Sequence, residues 1–397
     1  SSQNQRQEAL AAFLFAFTVA VCRAASWSSR KQSHVSPENA DWDSFGFGLN
    51  GVKTENMWLN TVDASSGCYS TDSSSCLVEN GKLQLDPACT ALNYGQALFE
   101  GMKAFRRADG TIALFRPFRN AMRMMNGAER LLLPPVPVET FVKASEAVVR
   151  ANAKWVPPHG KGALYLRPLL FGSGAGLGVG PSSECTFCIY CSPVGNYFKA
   201  GLKAIRLQAV KGYSRAAPGG SGGIKASGNY APAFMVQRDV RSRGYDEALF
   251  LDATNNKAIE EAGASNFFAV FPNKTIVTPS LSDETILPGV TRASIMELAK
   301  NECGYTISEG KLTIDDLRGA SEAFCCGTGA SITPVGSVDV TTRENPLVES
   351  EKGVTFGTGE RAGPITEQLY NLLLKIQMGT DADLNERYGH WVHVVDP

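Results

Sequence analysis

The 397-residue sequence has no excess of either charge: 38 Lys and Arg stand against 39 Asp and Glu, for a formal net charge of −1. Nothing in that balance would neutralise a nucleic-acid backbone or an anionic membrane surface. Neither a nucleic-acid partner nor, for the mature form, a membrane is therefore expected. A long hydrophobic run is also missing. The apolar stretch 9–22 is broken by Thr18 and falls short of the roughly 20 residues that a comfortable span requires. The ten cysteines include no pair of pairs at zinc-ribbon spacing, and a disulfide framework is not expected in a chain of this length. No internal repeat is present. Charged residues make up only 19% and the hydrophobic set 43%, which is ordinary globular composition rather than disorder. The length suggests two domains and a leader.

What is present begins with that leader. Arg6 precedes the apolar stretch, and the small residues Ala24, Ala25 and Ser26 follow it, the pattern of a cleavable signal-type segment. The next stretch, SWSSRKQSHVS, is poor in acids. Together they predict a targeting leader over 1–40, removed in the mature protein. A two-part leader into a plastid fits best, with a mitochondrion as the alternative. The densest cysteine group, Cys185, Cys188 and Cys191 in ECTFCIYCSP, reads as a buried strand whose cysteines act as small hydrophobes, rather than as a metal or iron–sulfur site. Cys325 and Cys326 lie in another apolar strand. His390 and His393, in GHWVH, read as surface residues, and no metal is expected.

The folded part is expected to start near Asp41. Over 41–197 the pattern is mixed, with strands at 111–116, 163–171 and 182–191 and helices at 119–133 and 142–153. A loop over 198–203 links this domain to a second, 204–397. There strands dominate, at 204–209, 247–252, 257–261, 267–271 and 275–278, with turn signals at Asn255–Asn256 and Pro272–Asn273. A helix at 291–303 carries Ile295, Leu298 and Ala299 on one face. Strands and helices do not alternate regularly, which argues against a doubly wound sheet. The expectation is α+β: a small N-terminal α/β domain and a larger, barrel-like C-terminal domain.

Four segments carry chemistry. APGGSGGIKASGNYAP surrounds Lys225 with glycine, which would let a bulky partner approach. A lysine kept out of water has a lowered pKa and can attack an aldehyde. Tyr230 offers a hydroxyl five residues on. Alone, this segment would suit a flexible surface loop equally well. IEEAGASNFF ends a strand at Glu261, a carboxylate that could pair with a pyridinium nitrogen. Glu260, facing the opposite side of the strand, reads as the surface residue. ILPGVTR puts Thr291 at a helix N-terminus, where free amides attract phosphate, and GTGAS places Thr328 between glycines. Arg123 could add a cationic fork, although on its own it suits a solvated helix face.

At this point the sequence resembles the branched-chain aminotransferases, of the fold-type IV (class IV) pyridoxal-phosphate family. YGQALFEGMKAFR, LFRPFRNAMRM, YLRPLLFGSG, SPVGNYF, RAAPGGSGGIKASGNYAP, EEAGASN, ILPGVTR and GTGASITPV occur in family order, and the RAAPGG run is especially similar to plant and algal members. The resemblance implies transamination between L-leucine, L-isoleucine or L-valine and 2-oxoglutarate, with pyridoxal 5'-phosphate as cofactor. Other class IV enzymes, a D-amino acid aminotransferase or an aminodeoxychorismate lyase, are the near alternatives. A cysteine-based metal protein is the distant one.

The resemblance also assigns roles. Lys225 would be the Schiff-base lysine and proton shuttle. Glu261 would pair with the ring nitrogen and Tyr230 with the ring oxygen. Arg123, Thr291 and Thr328 would bind phosphate with the amides of Val290 and Thr291, and Leu287 would pack on the ring. Tyr165 and the backbone at Thr328 and Gly329 would receive the substrate α-carboxylate. Tyr94, Phe99, Arg167 and Tyr197 would shape the side-chain pocket. Tyr94 and Phe99 belong to a loop region near the family's dimer interface, so a homodimer is implied. Two departures stand out. Ala330-Ser331-Ile332-Thr333 replaces the Cys-x-x-Cys pair of some animal members, and Gly329 stands where alanine is usual.

Overall fold

The computed structural model describes residues 35–50, 52–195, 202–342 and 351–396. Most of the expected leader and the pocket candidate Tyr197 lie outside the described residues. Two sheets organise the chain.

The first contains β1 (Asn56–Asp63), β2 (Leu77–Glu79), β3 (Ala97–Phe99), β4 (Met102–Arg106), β5 (Ile112–Phe115), β6 (Ala163–Gly172) and β7 (Glu184–Val194). The second is built from β8 (Ile205–Lys211), β9 (Glu247–Leu251), β10 (Ile259–Ala262), β11 (Ser265–Phe271), β12 (Thr275–Pro279), β13 (Thr306–Gly310), β14 (Glu322–Gly327), β15 (Ser331–Thr342) and β16 (Glu351–Thr355). The chain's last strand, β17 (Val392–Val395), returns to the first sheet and pairs with β5. The first sheet runs β17-β5-β4-β6-β7-β1-β2, with β3 on β6. In the second, the order β10-β9-β8-β15-β14-β11 closes because β10 also pairs with β11. A ring of strands closed in this way leaves no edge among its members. The fold is the expected two-domain α+β arrangement with a barrel-like second sheet.

Local sequence explains most of these elements. In β7 every residue but Glu184 and Tyr190 is buried, because neighbours and helices cover both faces of this central strand. Its three cysteines fill core positions, and burial pushes their thiols up, to about 11 for Cys185 and about 12 for Cys188 and Cys191. That agrees with the strand reading of ECTFCIYCSP. The helix Pro117–Arg130 starts on a proline at its first turn, which has no amide to leave unsatisfied. Its neighbour Val138–Ala151 begins four residues before the sequence pattern suggested. Pro137 precedes it with φ −56°, and Glu139 lies in its first turn, where a carboxylate suits the helix dipole.

Two long helices escaped the sequence reading, Ala233–Ser242 and Pro364–Met378. Among the described residues, no helix is long and apolar enough to cross a membrane. One apolar cluster joins the two sheets, setting Phe105, Phe115 and Val194 against Phe268, Phe324, Leu369 and Trp391. Arg116 locks the same junction. Its φ of +49° is a left-handed conformation uncommon outside glycine. Its guanidinium lies 4.0 Å over the Trp391 ring and donates to Ser294 Oγ at 2.8 Å. The functional cavity opens at this seam.

Candidate active site

A cavity of about 530 Å³ is lined from both domains: Phe99, Tyr165 and Arg167 from one side, Glu261, Leu287 and the turn at Thr328 from the other, and Lys225 between them. Its size suits a small organic ligand. The Phe99 amide donates to the Lys225 carbonyl at 3.1 Å, which ties the glycine-rich loop to the first sheet. The Lys225 amine lies 3.1 Å from the Tyr230 hydroxyl and 4.5 Å from the centre of the Phe99 ring. Burial above all, then the nearby Arg123 charge, brings this amine down to about 7. Much of it is thus neutral near pH 7, as a nucleophile or proton carrier must be. Burial pushes the Tyr230 phenol the other way, to about 12.

Glu261 is buried, 3% exposed. One oxygen accepts from the Leu287 amide and the other from Asn266 Nδ2, each at 3.2 Å. It forms an ion pair with Arg215, which itself donates to the Thr285 carbonyl at 2.7 Å. Burial raises the Glu261 carboxyl, and Arg215 opposes that rise. The sequence reading missed Arg215, the first residue of RAAPGG. A lone arginine ten positions before a lysine carries no local signal of what it will meet.

Glu260 requires a correction. It was expected on the surface, yet it is only 5% exposed. Alternation does send it to the other face of β10, but all four residues of that strand are buried, so the other face is covered too. Burial pushes its carboxyl up to about 7. The reading of His393 also needs correcting: it is half-buried and pairs with Glu146, whereas His390 is exposed.

The expected phosphate seat falls at the start of the helix Val290–Asn301. Gly289 caps it without a side-chain hydrogen bond, which leaves the first amides free for an anion. Glycine is required there, because a Cβ would overlap Asn266 Oδ1. Val290, Thr291 and Thr328 all line the cavity. Arg123 is not on a solvated face. It is 9% exposed and grips Glu100 with two hydrogen bonds of 2.7 Å. Glu100, fully buried, would be raised by burial, but the Arg123 guanidinium outweighs that and holds it low. Glu100 is the second residue that the sequence reading missed, although it stands inside the motif LFEGMKAF.

On the first sheet's side of the cavity, Arg167 donates to the Tyr165 hydroxyl at 3.0 Å and lies 4.9 Å over the Phe99 ring. Its Nε is buried without a partner among the described residues. A Cβ at Gly101 would overlap the Tyr165 hydroxyl, so glycine admits that ring. Phe47, from the N-terminal segment, packs edge-on against Tyr165 at 5.2 Å. Gly329 lines the same wall. Tyr94 is the one described candidate that does not join its own chain's cavity: it is 44% exposed, and its hydroxyl donates to the Leu177 carbonyl at 2.6 Å. Among the described residues, no cluster of three or more His, Cys, Asp or Glu side chains is placed to hold a metal ion.

A half-buried lysine that shares a cavity with a carboxylate and an uncapped helix N-terminus, at the junction of an α/β domain and a closed barrel, suits a lysine-centred group-transfer enzyme. Residues 97–338 match the model of the family described as amino-transferase class IV. The chain is 42% identical over 377 residues to branched-chain amino acid aminotransferase 2, chloroplastic, of Humulus lupulus, covering 95% of this chain and 88% of that protein. It is 45% identical over 348 residues to branched-chain-amino-acid aminotransferase 1, mitochondrial, of Arabidopsis thaliana, covering 88% and 85%. The crystal structure of the Escherichia coli branched-chain amino acid aminotransferase superposes with a TM-score of 0.70 at 28% identity, covering 87% of this chain and all of that one. The chain belongs to the class IV aminotransferases, in their branched-chain amino acid aminotransferase branch.

Proposed function

We propose that this protein is a pyridoxal-phosphate transaminase. It moves the amino group of L-leucine, L-isoleucine or L-valine reversibly onto 2-oxoglutarate, yielding the branched 2-oxo acid and L-glutamate. The observation that carries this reading is the half-buried Lys225, its amine brought down to about 7 within one cavity shared with Glu261, Arg123 and the free helix terminus.

The residues fit the cofactor. Uncapped amides at Val290 and Thr291, the Thr328 turn and the remaining donors of Arg123 would hold the phosphate, and Leu287 would pack on the ring. When bound, pyridoxal phosphate supplies an aldehyde for the substrate amine and a ring that draws electrons from Cα. Glu261 would keep a proton at the ring nitrogen and Tyr230 would donate to the ring oxygen. Lys225 would take the proton from substrate Cα and deliver it to C4′, the cofactor's former aldehyde carbon. A positioned base of this kind contributes roughly 10²–10⁴-fold. Tyr165, with the backbone of Thr328 and Gly329, would take the α-carboxylate. Phe99 gives an apolar wall for a branched side chain, and Arg167 a cation for the distal carboxylate of glutamate. Tyr94 and Tyr197 would complete that pocket.

The same reading makes the protein a homodimer, since Tyr94 would reach a cavity only across an interface. It also divides the chain at 198–203 into domains 41–197 and 204–397. The leader directs it to a plastid. The relatives' printed locations, chloroplastic and mitochondrial, support an organelle of one of those two kinds.

The test is a panel of L- and D-amino acids with 2-oxoglutarate and the purified protein. Transfer from L-leucine, L-isoleucine and L-valine is expected, with ping-pong kinetics. Transfer from the D forms alone would move the protein to another class IV activity.

A further inference from the structure

Lys103 has no part in the machinery described so far, yet it is a cation pointed at it. It lies on β4, in register with Tyr165 of β6, and its ammonium donates to the Gly329 carbonyl at 2.8 Å. Gly329 belongs to the turn between β14 and β15 that lines the cavity. Lys103 also borders a small space of about 20 Å³ beside the cavity, shared with Thr291, Thr328, Ser331 and Gln377. That is room for about one water. The groups around it are neutral: Tyr165, Asn120, Gln377 and the Thr328 and Ser331 hydroxyls. Lys103 is half-buried, and a charge drawn partly out of water among neutral groups is costly until an opposite charge meets it.

We propose that Lys103 is a positioning residue for the substrate α-carboxylate, pinning the Thr328–Gly329 turn through the Gly329 carbonyl and placing a positive charge behind it. The inference rests on the reading of that turn as the carboxylate seat. The groups of that seat, backbone amides and the Tyr165 phenol, carry no charge of their own; the Arg167 guanidinium reaches it through the Tyr165 hydroxyl, and Lys103 through the Gly329 carbonyl. With it, an incoming carboxylate meets both donors and a cation. A consequence follows for protons. Burial brings the Lys103 amine down to about 8, so near that pH a fraction is neutral. A bound carboxylate favours the charged form and draws a proton onto the amine.

Titration calorimetry of the holoenzyme with 4-methylvaleric acid, a branched acid without an amino group, tests this, with 4-methylvaleramide as the uncharged control. Wild type should bind the acid with net proton uptake near pH 8, read from buffers of different ionisation heat, and lose affinity above that pH. Lys103→Met should bind the acid roughly ten- to a hundred-fold more weakly, without that proton uptake, while amide binding falls far less, by only what the unpinned turn costs. Lys103→Arg should restore acid binding and hold it to higher pH, because a guanidinium does not titrate there. Equal losses for acid and amide, or a loss of cofactor instead of acid, would overturn the proposal and leave Lys103 a brace of the turn or of the phosphate seat. Failure of wild type to bind the acid at all would instead overturn the proposed function.

Discussion

Glu261 is a carboxylate under two opposed pressures. Burial favours its neutral form, while the Arg215 ion pair and the Leu287 amide favour the charged one. A ring nitrogen needs the charged form. Replacing Glu261 with Gln keeps the shape and removes the charge, at a cost of about 1.5–3 kcal/mol for a buried charged hydrogen bond. Both half-reactions should slow by roughly ten- to a hundred-fold or more, with the cofactor retained. Single-turnover absorbance of the cofactor measures this, and unchanged rates would remove Glu261 from the role. Arg215→Met tests the other side of the balance. Without the guanidinium, burial is opposed only by the Leu287 amide and the Lys225 and Arg123 charges, and the carboxyl rises further. The rate should fall at neutral pH and recover as pH is raised, moving the acidic limb of the kcat/KM profile upward. A profile that drops evenly at every pH would show that Arg215 serves only to brace the loop through Thr285.

At the scale of elements, β10 shows both the reach and the limit of reading this sequence. Its period of two correctly separates Glu260 from Glu261. What the period cannot show is that the second face of this strand is covered as well. The same limit hid Arg215 and Glu100, whose partners lie 46 and 23 residues away, because only the assembled fold brings those charges together. Contiguous motifs were legible: the glycine-rich lysine loop, the uncapped helix start at Val290 and the GTGAS turn all meet at one cavity. Long amphipathic helices lacking a sharp motif, such as Pro364–Met378, were not, although Pro364 at its start and Gly379 in the left-handed conformation at its end are recognisable start and stop signals. The covered face of β10 has a measurable result. Glu260 rises from 4.5 to about 7 on folding. A carboxyl raised in the folded state adds stability that is complete below about pH 4.5 and is lost as pH climbs to about 7. Glu260→Gln should remove that part of the pH dependence, so the difference in Tm between variant and wild type should grow in the variant's favour from pH 5 to pH 8. A constant difference would mean that the carboxyl titrates at its ordinary value.

The whole molecule leaves one surface to be accounted for. Leu177 is 88% exposed and Val179 90%, on the segment that joins β6 to β7, and Tyr94 hydrogen-bonds to this segment at Leu177. Leu92 adds a further apolar side chain at 63% exposure. Scattered apolar residues need no explanation, but a cluster on one loop system indicates an interaction surface. A two-fold pairing of identical chains presents the same patch twice, and it would offer Tyr94 a neighbouring cavity in place of its own. Val179→Asp places a charge in that patch without touching the core of the chain. The variant should keep the wild-type circular dichroism and Tm at dilution, since a 90% exposed side chain supports nothing within its own chain. Sedimentation velocity should show its mass shifted from dimer towards monomer. Its transaminase rate should depend on protein concentration where the wild type's does not. If the variant sediments as a dimer with full activity, the interface lies on another face, and Tyr94 has no part in the pocket.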